Sequence, residues 1–306
     1  MSSLFLKRYP IPIAGLILAL LALGNLLQSY DPRIRLALGG IAAVFYVLYL
    51  LKLVVLNTKL KEPLENPVAA SVLPTFTMAT MLLGGYVRPC CPGLGVGLWY
   101  AGLMGHALLI LWFSWGFLRG FSIKKVFPSW FIVYVGIAVA SVSAPVAGRL
   151  DIGRAAFWFA LAAYLCLLPF VCWRVWKVGQ IPDPAKPTAV IFAAPASLLL
   201  AGYMTSFEAK NLNMVYALLI ASLLFFLVGL FYLIWLTWKQ PDFSPVQAAF
   251  TFPIVFSALA VKLAGGVLGN DLEIHQLLVT LQTILAALVV LWVLVRYLIF
   301  LFAKSE

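Results

Sequence analysis

Charged residues are scarce in this sequence. Only 10% of its 306 residues are Asp, Glu, Lys or Arg, whereas 64% are hydrophobic. A soluble domain with this balance would expose large apolar patches to water. The composition therefore excludes a soluble protein and predicts that residues 1–306 form a single integral membrane domain, with lipid as its main solvent.

Acidic residues are the scarcest charged ones, with 10 Asp and Glu against 21 Lys and Arg and a net charge of +11. The basic residues are dispersed over the ends of apolar stretches, which indicates membrane topology and not nucleic-acid binding. By the positive-inside rule most of them, including Lys7 and Arg8, lie on the cytoplasmic side, so both termini are predicted to be cytoplasmic. The other side has Arg33, Arg35, Arg88, Arg149, Arg154, Lys210 and Lys262.

Cysteine and histidine are also rare, with four and two residues. The cysteine spacing matches no zinc site, redox motif or disulfide framework, and the adjacent Cys90 and Cys91 are poorly placed to bond to each other. His106 and His275 have no carboxylate or second histidine at ligand spacing and are interpreted as structural. No metal or other cofactor is expected, and the scattered titratable residues argue against a membrane-embedded enzyme.

Long apolar stretches are the main feature that the sequence does contain. Ten of them are long enough to cross a bilayer, and each must be helical because lipid offers backbone groups no hydrogen-bond partners. None contains Asp or Glu, on which cation channels and proton-coupled carriers generally depend. The stretches cover residues 9–28, 34–57, 66–86, 95–118, 128–148, 155–173, 187–206, 212–238, 244–264 and 276–302.

Proline positions indicate a repeat of about 60 residues. The odd-numbered stretches each open with a proline, namely Pro10, Pro67, Pro128, Pro187 and Pro245. In three of them a second proline follows seven or eight residues later, at Pro74, Pro195 and Pro253. Gly136 takes this place in the fifth stretch, and Pro12 lies nearer the start of the first.

A proline inside a membrane helix removes a backbone hydrogen bond and bends the helix, so that the freed carbonyl needs protein or water as a partner. The odd-numbered helices are therefore expected to be kinked and to line a central pore, and the even-numbered ones to be unkinked and to face lipid. The predicted all-α fold is a quasi-fivefold ring of five like-oriented hairpins. They cover approximately residues 9–57, 66–118, 128–173, 187–238 and 244–302. The alternative is the general enrichment of proline in membrane helices.

The segments around these prolines carry a family resemblance. They read NPVAASVLPTFTMATMLL, FPSWFIVYVGIAVAS, KPTAVIFAAPASLLLAGY and PVQAAFTFPIVFSALA. With the hairpin repeat, they resemble the tellurite-resistance/dicarboxylate transporter family, which includes TehA-like bacterial channels and plant slow anion channels. The resemblance implies a homotrimer with one pore in each subunit. It also implies that a phenylalanine of the ninth helix plugs the pore, and the match places this gate at Phe252, with Phe250 as the nearest alternative.

The expected function is an anion channel that passes small monovalent inorganic anions across the cytoplasmic (inner) membrane of a bacterium or archaeon. The alternative is a secondary transporter for C4-dicarboxylates, sulfite or tellurite-type oxyanions. Expected pore-lining or kink residues are Pro12, Pro74, Phe76, Gly136, Pro195, Thr251, Pro253 and Ser257. The candidate hydroxyl contacts for an anion are Thr75, Thr77, Ser141, Ser197, Thr251 and Ser257, unless they bond to their own helices. Lys52 and Arg296 are expected to extend toward lipid headgroups.

Overall fold

The computed structural model describes residues 3–55, 64–179, 181–268 and 273–303. Within these ranges the chain is helical and has no strand, so the predicted all-α class is confirmed. The α-helices in chain order are α1 (Ser3–Arg8), α2 (Ile13–Leu27), α3 (Pro32–Val55), α4 (Pro67–Val72), α5 (Thr75–Val87), α6 (Pro92–Leu118), α7 (Trp130–Tyr134), α8 (Ala138–Val142), α9 (Ala144–Ala147), α10 (Leu150–Trp173), α11 (Pro195–Ser206), α12 (Leu212–Lys239), α13 (Thr251–Leu268) and α14 (Glu273–Phe302). Segments of 3₁₀ helix cover Ile123–Lys125, Asp183–Ala193 and Pro245–Phe250, and a π-helical turn covers Arg174–Val178.

Five long helices, α3, α6, α10, α12 and α14, form what we call the outer helices. Each has 24 to 30 residues, or about 36–45 Å at 1.5 Å per residue, which exceeds the bilayer core. Only 28% to 39% of their most apolar windows are buried. Large side chains such as Leu108, Leu227 and Leu288 are exposed on them. These surfaces suit contact with lipid.

The inner segments alternate with the outer helices along the chain. They are α2, α4 with α5, α7 to α9, and the two 3₁₀ segments that continue into α11 and α13. In residues 67–87, 183–206 and 245–268, the buried share of the most apolar window is 67% to 89%. This contrast agrees with the expectation that odd-numbered spans are buried and even-numbered spans are exposed.

The inner prolines lie where the inner segments become regular helices. Pro12 and Pro74 immediately precede α2 and α5, Pro195 is the first residue of α11, and Pro253 is the third residue of α13. A proline in the first turn removes no intrahelical hydrogen bond, because the N–H groups there have no partner within the helix. The sequence predicts prolines that bend a continuous helix, whereas the structure uses them to start a helix after a short preceding segment.

Two of the ten predicted spans lack a continuous helical segment long enough to cross a membrane. In the first, α2 has only 15 residues, and the fifth is divided into α7, α8 and α9. Gly136 accounts for the first break, since its N–H bonds to the carbonyl of Phe131 five residues earlier and a Cβ there would overlap the carbonyl oxygen of Ile132. Within the described ranges, eight helical segments are long and apolar enough to cross a membrane.

Pro169 is an exception to the predicted contrast between the two sets of helices. It lies inside the outer helix α10, which continues past it and ends in the π-helical turn. A proline at this position removes a backbone hydrogen bond from an outer helix. The expectation that the even-numbered spans are free of such sites is wrong here.

Contacts between inner segments link neighbours in a continuous series. Helix α2 contacts α5 and α13, α5 contacts α8, α8 contacts α11, and α11 contacts α13. The outer helices pack against them, α3 on α2, α6 on α5, α10 on α8, α12 on α11 and α14 on α13. The ends of the described chain also meet, because Arg8 Nη1 donates to the carbonyl of Ala303 and the ring of Phe5 lies 6.2 Å from that of Phe302.

Candidate functional site

A cavity of about 390 Å³ opens at the end of the molecule where α2, α5 and α11 finish. We call it the vestibule. Every inner segment contributes to its wall, through Asn25, Leu82, Val142, Thr205 and Leu259. The vestibule is therefore the place at which all five inner segments approach one another. Its described wall includes arginine side chains but neither Asp nor Glu.

Two arginines give the vestibule its charge. Arg35, in the first turn of the outer helix α3, donates from Nε to Oδ1 of Asn25 at 3.0 Å and from Nη2 to the carbonyl of Gly85 at 2.9 Å. Arg88, which follows α5, donates from Nη1 to the carbonyl of Pro145 at 2.7 Å. These acceptors carry no net charge, so they hold both guanidinium groups in place without cancelling their positive charge.

An aromatic ring supports Arg35. Its guanidinium carbon lies 4.2 Å from the centroid of the Tyr86 ring, and the Tyr86 hydroxyl donates to the carbonyl of Leu21 at 2.6 Å. A Cβ at Gly24 or Gly39 would overlap the Tyr86 side chain. Glycine at these two positions is thus what allows the ring to lie between α2 and α3 and to pack against the arginine.

The predicted gate, Phe252, is buried, with 1% of its surface exposed. It lies in the first turn of α13, seven residues before the vestibule residue Leu259. Seven residues are nearly two helical turns, so the two side chains point within about 20° of each other and are about 10 Å apart along the helix axis. Phe252 is therefore on the vestibule-facing side of α13, below the cavity.

Phe250, the alternative gate, has a different environment. Its ring stacks on Trp292 of the outer helix α14, with 6.3 Å between centroids and 6° between planes. Because residues two positions apart lie on roughly opposite sides of a helical segment, this contact orients Phe250 away from the face that carries Phe252. The two phenylalanines thus differ in neighbours although both are buried.

Most of the predicted hydroxyl contacts are bonded within their own segments. Ser141 donates to the carbonyl of Gly202 and joins α8 to α11. Ser257 lies 3.5 Å from Oε1 of Gln282 and so faces the outer helix α14. The others donate to a carbonyl three or four residues earlier; they are Thr75, Thr77, Ser197 and Thr251. These bonds favour the alternative that the hydroxyls form hydrogen bonds with carbonyls of their own helices and are not free to contact an anion.

Phe76, a predicted pore residue, lies against α3. Its ring stacks with those of Tyr46 and Tyr49, at 4.9 Å in each case. It also lines an apolar pocket with Leu108 and Trp112 of α6. These contacts favour a packing role between α5 and two outer helices.

Of Lys52 and Arg296, only Lys52 has surroundings that contradict the prediction. Lys52 is buried, and its ammonium group donates to the carbonyls of Tyr9 and Leu6, so it does not extend to lipid headgroups. Arg296 donates to the carbonyl of Pro241 and lies 5.0 Å from the centroid of Trp292. Each side chain ties an outer helix to a neighbouring part of the chain.

The two histidines have structural contacts, in agreement with their interpretation. The buried His106 donates from Nε2 to the carbonyl of Val133 at 3.1 Å, and its Nδ1 lies 2.8 Å from Oγ1 of Thr77. It thereby joins α5, α6 and α7. His275 donates to the carbonyl of Val261 at 2.9 Å and joins α14 to α13.

Sequence reasoning did not predict that Arg35 and Arg88 line one cavity. It counted them as topology charges, because each simply follows the end of a polar turn or an apolar stretch. The available signal was that both fall on the same predicted side of the membrane. Their convergence on one cavity depends on the packing of α3 against α2 and α5, which no local pattern specifies.

Comparison with protein families gives one match that spans these features. The family profile SLAC1, described as voltage-dependent anion channel, matches residues 8–298, which include all five inner segments and the whole vestibule wall. Comparison with curated proteins gives no match. The family consists of anion channels and transporters, in agreement with the resemblance noted in the sequence. This multi-pass membrane protein therefore belongs to the voltage-dependent anion channel family.

Proposed function

We propose that the protein is an anion channel with a pore in each subunit, running along the axis shared by the five inner segments. The observation that carries this proposal is the vestibule, where all five inner segments meet around two arginines without a charged partner. The series of contacts from α2 through α5, α8, α11 and α13 back to α2 supports a ring of five hairpins. Family membership supports anions as the solute.

Phe252 is the proposed gate. Its burial and its position on the same face of α13 as Leu259 support a location on the pore axis below the vestibule. An apolar ring across a narrow pore blocks conduction by steric closure and dewetting, since a hydrated anion gains nothing from an aromatic face of negative potential. Other residues of the inner segments, such as Leu18 and Leu198, are also apolar and buried, which supports a dry constriction.

Liposome flux assays test the gate. We expect Phe252→Ala to raise chloride flux at least about tenfold, which corresponds to a barrier lowered by roughly 1.4 kcal/mol. Phe250→Ala is the matched control, because it removes an equally buried ring that packs on the outer helix α14. A Phe252→Ala protein that folds normally and stays as closed as the wild type contradicts the gate.

The proposed orientation places both termini in the cytoplasm of a bacterium or archaeon, with the vestibule opening to the outside. The dispersed basic residues support it, because the loops at the end opposite the vestibule carry more of them, including Lys124, Lys125 and Lys177. The resemblance to TehA-like channels supports a homotrimer in which each subunit conducts by itself.

A secondary transporter for dicarboxylates, sulfite or tellurite-type oxyanions is the second candidate. One observation favours it: the vestibule is open toward one end of the molecule and ends above a buried phenylalanine, as in a carrier caught in one orientation. Turnover separates the two candidates, because a channel passes far more ions per second than a carrier and saturates poorly. Concentration-dependent flux in liposomes measures both properties.

A further inference from the structure

Neither vestibule arginine forms an ion pair with an acidic residue in the described part of the chain. Among the described residues, ion pairs join Arg149 to Asp151 and Lys186 to Asp183, and neither pair includes Arg35 or Arg88. The partners of Arg35 and Arg88 are amide and carbonyl oxygens. The vestibule thus holds two fixed cationic groups beside apolar wall residues such as Leu82 and Leu259, which strengthen the field that an entering anion meets.

Each guanidinium also retains unused hydrogen-bond donors. Arg35 uses Nε and Nη2, and Arg88 uses Nη1. A guanidinium has five N–H groups, so Arg35 keeps unused donors even with a hydrogen bond to Tyr86. In the described part of the chain, Nε and Nη2 of Arg88 have no hydrogen-bond acceptor. Because both side chains line the vestibule, these donors are available to a solute there.

The Arg35 group is rigid before any solute arrives. It is held by Asn25 and Gly85, and it stacks on the Tyr86 ring, which is itself bonded to the carbonyl of Leu21. A side chain that is already fixed loses little rotamer entropy when it binds a ligand, so more of the interaction energy appears as affinity.

We propose that the vestibule is a binding site for planar oxyanions, such as nitrate or a small carboxylate, that precedes the gate. The planar fork of a guanidinium group matches two coplanar oxygens of one anion, whereas a spherical halide meets the same charge without this directional match. This inference rests on the proposed anion pathway. The vestibule would select anions by their shape, whereas an apolar pore selects them by their cost of dehydration.

Binding to the purified protein in detergent tests the proposal without any need for conduction. Isothermal titration calorimetry with sodium nitrate and with sodium iodide compares two weakly hydrated anions that differ in shape. We expect the wild type to bind nitrate more tightly than iodide. Arg35→Gln and Arg88→Gln are each expected to weaken nitrate binding about tenfold, as expected for the loss of a charge-assisted hydrogen bond.

Two further variants separate charge from shape and location. Arg149→Gln is the matched control, because Arg149 is exposed, pairs with Asp151 and does not line the vestibule; nitrate affinity is expected to stay unchanged. Arg35→Lys retains the charge but not the fork, so iodide binding is expected to persist while the preference for nitrate is lost. This variant and Arg88→Gln decide the matter if Arg35→Gln does not fold.

Two outcomes overturn the proposal. One is a wild-type protein that fails to bind nitrate or binds it no better than iodide, and the other is Arg35 and Arg88 variants that bind nitrate as the Arg149→Gln control does. Phe252→Ala is expected to bind nitrate as the wild type does, since it lies below the vestibule. Unchanged flux in Phe252→Ala with intact nitrate binding would therefore refute the gate and leave the vestibule site standing.

Discussion

The half-buried Tyr86 joins three helices beside the vestibule. The ring supports Arg35 from α3, and the hydroxyl donates to the carbonyl of Leu21 in α2, while Tyr86 itself belongs to α5. The residue therefore orients the arginine by packing and fixes the ring by hydrogen bonding. Its two functions can be separated, because phenylalanine retains the ring and loses only the hydroxyl.

We expect Tyr86→Phe to lower the free energy of unfolding by about 1 kcal/mol, the net contribution of one hydrogen bond. Thermal unfolding in detergent should show a lower midpoint than in the wild type. Tyr216→Phe is the control, since Tyr216 is exposed on the outer helix α12. Equal midpoints for the two variants would mean that the hydroxyl does not contribute to stability.

At the scale of single residues, the sequence predicts a residue's role well where that role depends on local chemistry. The interpretation of His106 as structural agrees with its contacts, because a lone histidine without ligand partners in an apolar helix is usually a bonded core residue. Lys52 was misjudged because the sequence does not reveal that the first residues of the chain fold back over α3. The role of Phe252 stays a prediction, which its position on α13 supports.

Each inner span has a junction near its start, and in four of the five a regular helix follows it. In four of them a proline lies at the junction, and in the fifth span Gly136 takes that place. Glycine is required there by its surroundings, since a Cβ would meet the carbonyl oxygen of Ile132, the sulfur of Met78 and the ring of His106. The break in this segment therefore depends on the missing side chain.

Gly136→Ala should destabilise the protein by roughly 1–3 kcal/mol, the usual cost of an extra methyl group in a filled interior. Gly116→Ala is the control, because a Cβ on this exposed face of α6 would meet nothing within 4 Å. That change is expected to be neutral or to stabilise the helix by up to about 1 kcal/mol. Denaturation of both variants in detergent measures the difference, and a tolerated Gly136→Ala would show that the fifth span can accommodate a continuous helix.

Element positions were predictable because apolar length is a strong and local signal. The outer helices α6, α12 and α14 lie close to the predicted spans. The internal form of the inner segments was less predictable, since the sequence does not distinguish a proline that bends a helix from one that begins it. Pro169 illustrates the difficulty, because it lies inside an exposed outer helix where no break was expected.

The charge distribution of the whole molecule should determine which ions pass. The predicted spans contain no Asp or Glu, and the vestibule adds two positive groups. An anion that enters the apolar constriction must shed water, so permeability should follow the cost of dehydration, with nitrate and iodide above chloride and fluoride lowest. Cations should be excluded by the same positive field.

Reversal potentials of Phe252→Ala in planar bilayers measure this order under mixed-anion conditions. Substitution of potassium by a large organic cation should leave the potentials unchanged if anions carry the current. A preference for fluoride over iodide would contradict selection by dehydration. The double variant Arg35→Gln/Arg88→Gln provides the control for the contribution of the vestibule charge.

The overall class of the molecule followed from composition alone, since 64% hydrophobic residues leave no soluble alternative. The pairing of buried and exposed helices followed from the proline repeat. The gate and the trimer are predictions that rest on the resemblance, because such features depend on distant parts of the chain or on other subunits. The vestibule required the three-dimensional arrangement, since its wall is assembled from five segments spread over residues 25–263.

Arg35 reaches the vestibule from an outer helix, through the gap between α2 and α5. The shape and the charge of the vestibule thus come partly from different layers of the protein. The inner segments define its width, and one of its two positive charges, that of Arg35, comes from an outer helix. Among related proteins, the preference for one ion over another can then change independently of the geometry of the proposed pore. A single substitution in the first turn of α3 would change the electrostatic potential along the proposed anion pathway. The packing of the inner helices would stay as it is.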